Sequence, residues 1–178
     1  MYAVSEMLRG HLLIAAPSLF DYFRRTVVLV IEHTPEGAIG VVLNRESETR
    51  VAEAVPQLAD LAADDALVRI GGPVAPESVV ALGEFGDLSE AGTQVVGQLG
   101  TLDPDSANES LTRLRVYAGY AGWSAGQLDD ELEQEAWLVA PAEEGDPFSA
   151  GDIWSHALER RGGAYRLLAT MPPDPSQN

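Results

Sequence analysis

The chain of 178 residues carries 28 acidic residues against 11 basic ones, all arginine, for a net charge of −17. A nucleic-acid binder gains most of its affinity by neutralising phosphates, so this field makes nucleic acid an unfavourable partner. The absence of cysteine and lysine excludes disulfides, thiolate nucleophiles, Schiff bases and P-loop chemistry.

A chain of this length, 46% hydrophobic, buries about 70% of its unfolded surface in one core. The expected organisation is a single domain over 1–170, with a disordered tail, MPPDPSQN, at 171–178. The opening apolar run HLLIAA is cut by Pro17, too short for a membrane span and without the layout of a signal peptide. A cytoplasmic protein without membrane contact is the expectation.

In chain order, residues 12–15 read as a first strand and 17–25 as a turn with a short helical piece. Residues 26–31, TVVLVI, are nearly all apolar and β-branched, which predicts a strand buried on both faces. Thr34-Pro35-Glu36-Gly37 is a turn signal and 38–43 a second apolar strand, so the two strands pair as an antiparallel hairpin. Residues 51–62 are helix-like, with Pro56 as an interruption. Residues 67–70 read as a strand running into Gly71-Gly72-Pro73, and 78–82 and 93–99 as strands on either side of an acidic loop. Ser106 with Glu109 fits a capping box ahead of a short helix. Ile153, Trp154, Ala157 and Leu158 lie at helical spacing, in a helix that stops at Gly162-Gly163.

The most tightly specified stretch is RVYAGYAGWSAGQLDDELEQEAWLVAP, residues 115–141. Val116 and Tyr117 begin a strand, and Gly119 and Gly122 predict a turn through positive φ. Ser124 followed by Gln127 matches a capping box, with Trp123 and Leu128 at the staple positions. Leu128 and Leu132 form a thin helical stripe, and 136–140 read as a strand closed by Pro141.

GYAGW, GQLDDEL and AWLV in this stretch, together with GHLLIAAPSLFDYFRRTVVLVIEH (10–33), GAIGVVLNR (37–45) and GGPV (71–74), resemble the YqgE/AlgH family of small bacterial proteins. The ending MPPDPSQN is similar to that of longer-tailed members. The resemblance spans nearly the whole chain. It implies an α/β (α+β-like) fold, a single domain with a mixed β-sheet flanked by helices, and no established chemistry. Some members are described as transcriptional regulators linked to exopolysaccharide synthesis, an association that supplies no mechanism.

Gly122-Trp123-Ser124-Ala125-Gly126 fits G-x-S-x-G, the nucleophile elbow of serine hydrolases. His156 follows in the right order, with Asp129, Asp130, Asp146 and Asp152 as third members. Against a small serine hydrolase stand the N-cap role of Ser124, the short chain and the absence of an HGGG-type oxyanion motif. His11, His33 and His156 have no partner at the short spacing of a zinc motif. Asp103, Asp105 and Glu109 resemble half a calcium loop without its central glycine or its final Glu. No metal and no cofactor is expected.

The favoured reading is a non-catalytic binding or regulatory module. Its site is expected where the strand end Asn44-Arg45, the Gly71-Gly72 turn and the GYAGWSAGQ turn converge. Arg25, His33, Asn44, Arg45, Gly71, Gly72, Tyr120, Trp123 and Gln127 are its candidate residues, and a protein or a small molecule its partner. The sequence leaves the oligomeric state open.

Overall fold

The computed structural model describes residues 8–19, 21–103 and 105–170. The expected tail at 171–178 lies outside them. Strands hold 43% of the described residues and helices 20%, so the expected α/β sheet flanked by helices gives way to a curled, largely antiparallel half-barrel.

The strands are β1 (His11–Ala15), β2 (Val27–Thr34), β3 (Gly37–Val42), β4 (Glu46–Arg50), β5 (Leu67–Ile70), β6 (Val74–Phe85), β7 (Ala91–Val96), β8 (Leu99–Leu102), β9 (Leu111–Ser124) and β10 (Trp137–Pro141). Two short helices lie between strands, α1 (Val51–Ala54) and α2 (Gln127–Glu133), and two follow the last strand, α3 (Ile153–Arg161) and α4 (Tyr165–Leu168). The sheet runs β10-β1-β2-β3-β9-β6-β8-β7, with β4 joined through β5 to β9. Each pairing is antiparallel except that of β5 with β9, which run parallel at Arg69/Tyr117 and Ile70/Ala118.

β9 is the spine, and it explains why the fold is mostly β. The predicted turn at Gly119 and Gly122 does not form. The chain stays extended from Leu111 to Ser124 and pairs in turn with β6, β5 and β3. Gly119 has φ +73°, and a Cβ there would sit 2.5 Å from the Gly72 carbonyl oxygen, so its freedom serves a bend within a strand. Gly122 has no positive φ and no close neighbour. The second predicted capping box also fails. Ser106 donates to the Asp103 carboxylate at 3.0 Å, and the chain turns directly into β9 without a helix.

The predicted β2–β3 hairpin is present, with Val28 opposite Val42 and Thr34 opposite Gly37. Alternation along these strands sends side chains to two cores. Leu12, Ile14, Val27 and Leu29 face α3, whose Ile153, Trp154, Ala157 and Leu158 are all buried, as their spacing predicts. Leu13, Val28, Val30 and Val42 face the opposite side, with Trp123, Leu128 and Trp137. A third cluster packs Val51, Val55 and Leu58 onto Leu114 and Val116 of β9. Pro56 ends α1 and opens a single 3-10 turn, Pro56–Leu58.

Candidate functional site

The tip of the β2–β3 hairpin lies beside the end of β9, with Gly37 opposite Ser124 and Ala38 opposite Trp123. His33, on β2, is 4% exposed, and its Nδ1 has no hydrogen-bond partner. It lines a cavity of about 20 Å³ together with Thr34, Ser124, Gly126, Leu128 and Asp129. That volume admits one water or a group of similar size. The cavity shares Thr34 and Gly37 with an open groove of about 250 Å³, lined by Ala38, Ile39 and Trp123 and edged by Glu32 and Glu36.

The helix beside this cavity starts differently from the prediction. Ser124 is the last residue of β9, and Gly126, at φ +77°, takes the N-cap position without a side-chain cap. Only the return half of the capping box forms. Gln127 Oε1 accepts from the Ser124 N–H at 3.0 Å, and the Ser124 hydroxyl donates to the same oxygen at 3.3 Å. Gln127 Nε2 in turn donates to Glu131 Oε2 at 2.9 Å.

Glu131 Oε1 accepts from both the Trp123 indole, at 3.1 Å, and the Trp137 indole, at 2.9 Å. The two rings meet edge to face at 6.1 Å, and Phe23 packs on both. This network fixes α2 to the sheet and holds the groove wall. Glu131 and Trp137 were not candidates in the sequence. Their signal was present, because a buried indole N–H requires an acceptor and Glu131 lies one helical turn beyond Gln127.

The candidate residues separate into two groups. His33, Trp123 and Gln127 gather at the hairpin tip. Asn44, Arg45, Gly71, Gly72 and Tyr120 gather several residues further along β3. Asn44 Oδ1 accepts from Val27 N at 3.0 Å while its Nδ2 donates to the Arg25 carbonyl at 2.8 Å, which ties the start of β2 to the end of β3. Arg45 lies 4.4 Å over the Tyr22 ring and donates to the Tyr22 carbonyl. The Gly71 carbonyl accepts from Val42 N at 2.8 Å. A Cβ on Gly72 would stand 2.2 Å from the Tyr120 carbonyl carbon, so this turn is pressed against β9. Tyr120 packs with the α3 core and Trp123 with the opposite one, so the expected single convergence is divided across the sheet.

Arg25 belongs to the α3 side, 4.0 Å over the Trp154 ring and 3.7 Å from Asp152. His156 stands exposed on α3, across the sheet from α2 and Ser124. The geometry therefore does not join Ser124 to His156. The histidine that shares a cavity with Ser124 is His33. Among the described residues, no group of three or more His, Asp or Glu is placed to hold a metal ion, and no helix is long and apolar enough to cross a membrane.

Fold and site together define a curled antiparallel half-barrel with a polar cavity at one hairpin tip. The AlgH-like family model (DUF179) matches residues 12–166. A UPF0301 protein of Streptomyces coelicolor is 42% identical, covering 96% of this chain and 95% of its own length. The crystal structure of protein DIP2367 from Corynebacterium diphtheriae aligns with a TM-score of 0.84 at 31% identity, over 96% of this chain and 95% of that one. The solution structure of AlgH from Pseudomonas aeruginosa aligns at 0.71 and 33%, over 97% and 98%. The chain belongs to the AlgH-like family.

Proposed function

We propose that the protein is a non-catalytic binding module whose site is the groove at the β2–β3 tip, and that its ligand is a small primary amine. The observation that supports this most is the buried, unpartnered Nδ1 of His33, a residue that lines a small cavity beside an open groove. An unsatisfied buried polar atom carries a desolvation cost of about 1–3 kcal/mol, which a ligand donor removes. The small cavity suits an ammonium group, with Asp129 on its wall and Glu32 and Glu36 at the groove edge. An alkyl body then lies along Ala38, Ile39 and Trp123.

Titration with n-butylamine, followed by protein-observed NMR, tests the reading. The expected result is saturable shifts confined to residues 32–39 and 123–129, lost in His33→Leu. Equal shifts in that variant, or shifts centred elsewhere, count against it.

The shared cavity of Ser124, His33 and Asp129 favours a second reading, serine hydrolysis with His33 as base. Against it, the Ser124 hydroxyl is bonded to Gln127. Labelling of Ser124 by a fluorophosphonate, abolished in His33→Ala, is what this reading requires, and an unlabelled protein removes it. Direct DNA binding as a regulator is opposed by the charge of −17, and retention on heparin at low salt is its test.

A further inference from the structure

A second cleft lies along β9, away from the His33 groove. Thr112, Arg113, Leu114 and Arg115, with Leu61 and Phe148, line a space of about 290 Å³. Side chains of a strand alternate between faces, so four consecutive residues line one cleft only where it follows the strand edge. Here β6 occupies one side of β9, and β5 joins the other side only at Tyr117 and Ala118. The edge at 112–115 faces the cleft.

Charge selects what fits. Three arginines meet here in a chain whose net charge is −17. Arg113 is neutralised by Glu84 at 2.7 Å and lies 4.3 Å over the Phe148 ring. Arg69 faces Glu46 at 3.4 Å. Arg115 has no carboxylate at ion-pair distance among the described residues. Its Nε donates to the Pro147 carbonyl at 3.2 Å, its guanidinium lies 5.8 Å from the Phe148 ring, and its terminal nitrogens make no hydrogen bond among the described residues. Burial, then the neighbouring charge of Arg69, depress the Arg115 pKa against the opposing pull of Tyr117 and Glu46, as for a half-buried cation beside other arginines. On the same face of β9, the buried Tyr117 hydroxyl has no partner, and neither has the Nε of Arg69 opposite it.

We propose that this cleft is a second binding site, for a small amphipathic anion. A carboxylate or phosphate meets Arg115, and an aromatic or aliphatic body lies against Leu61, Leu114 and Phe148. Arg115 supplies a charge that no direct ion pair neutralises among the described residues, while Arg113, already paired, stacks on Phe148 and shapes the wall of the cleft.

Isothermal titration with phenyl phosphate, benzoate and inorganic phosphate tests it on the wild type and on Arg115→Met, which keeps the apolar stem and removes the charge. The expected result is saturable binding of phenyl phosphate or benzoate with a Kd of about 1 mM or tighter. The affinity falls at least about tenfold in Arg115→Met and weakens with added salt. The tighter of the two organic probes identifies the anion. His33→Leu binds as the wild type does, which separates this site from the hairpin groove. Phe148→Leu, with all three arginines intact, weakens the organic probes and serves where Arg115→Met fails to fold. Equal binding by wild type and Arg115→Met overturns the proposal. So does inorganic phosphate binding as tightly as phenyl phosphate, or the absence of saturable binding by every probe.

Discussion

Glu131 is half-buried yet accepts from two indoles and from Gln127, so one carboxylate fixes both α2 and the groove wall. A hydrogen bond to a charged group is worth about 1.5–3 kcal/mol, and an orphaned buried donor costs a similar amount. Glu131→Ala is therefore expected to lower unfolding stability by about 3 kcal/mol in urea, and Glu131→Gln by less, because the amide keeps one acceptor. A loss under about 0.5 kcal/mol for Glu131→Ala would mean that the indoles find water instead. Glu84 offers a pH test. The hydrogen bond from Arg113, opposed by burial, holds its carboxyl below the ordinary value of 4.5. A depressed carboxyl contributes stability that is complete above the ordinary value and lost as pH falls through the folded one. Glu84→Gln should thus be less stable than wild type at neutral pH, with the gap closing as pH drops below 4.5. A gap that widens in acid contradicts the assignment.

At the scale of elements, the two glycines flanking the candidate site predict different costs. Gly119 combines φ +73° with the Gly72 oxygen 2.5 Å from a would-be Cβ, whereas Gly126, at φ +77°, has nothing within 4 Å. Gly126→Ala should cost only the left-handed strain, about 1–2 kcal/mol. Gly119→Ala adds a clash between β9 and the Gly72 turn and should cost about 3 kcal/mol or more, read from urea midpoints. Equal losses would show that the close approach relaxes. The same glycines explain what the sequence displayed and what it hid. The β2–β3 hairpin and α3 were legible because their periodicity is local and their turn and stop signals are unambiguous. β9 was not, because glycine signals permission to turn and not an obligation, and the partners that hold 111–124 in one strand, bent at Gly119 and extended at Gly122, come from β3, β5 and β6. The Ser124–Gln127 pair was recognised as a contact, yet the serine sits at the end of a strand. Only long-range pairing with Gly37 decides that.

For the whole molecule, the dominant field is the net charge of −17. Raising salt from about 0.01 M to about 0.15 M shortens the Debye length from about 30 Å to about 8 Å and relieves self-repulsion, so Tm should rise over that range. A fall would mean that exposed ion pairs such as Arg50–Glu53, at 3.0 Å, outweigh the global term. The sequence brought His33, Trp123 and Gln127 into one candidate set. It did not reveal that Asn44, Gly71 and Gly72 are ties between strands, nor that Tyr120 lies across the sheet from Trp123. Those assignments depend on which face each residue takes after the bends in β9. The hairpin-tip groove remains the feature on which the functional reading stands. A high-resolution crystal structure of the protein saturated with n-butylamine tests it most directly. The expected density is an ammonium nitrogen within hydrogen-bond reach of His33 Nδ1 and Asp129, with the alkyl chain against Trp123. Water alone beside His33, with the amine absent from the groove, would contradict it.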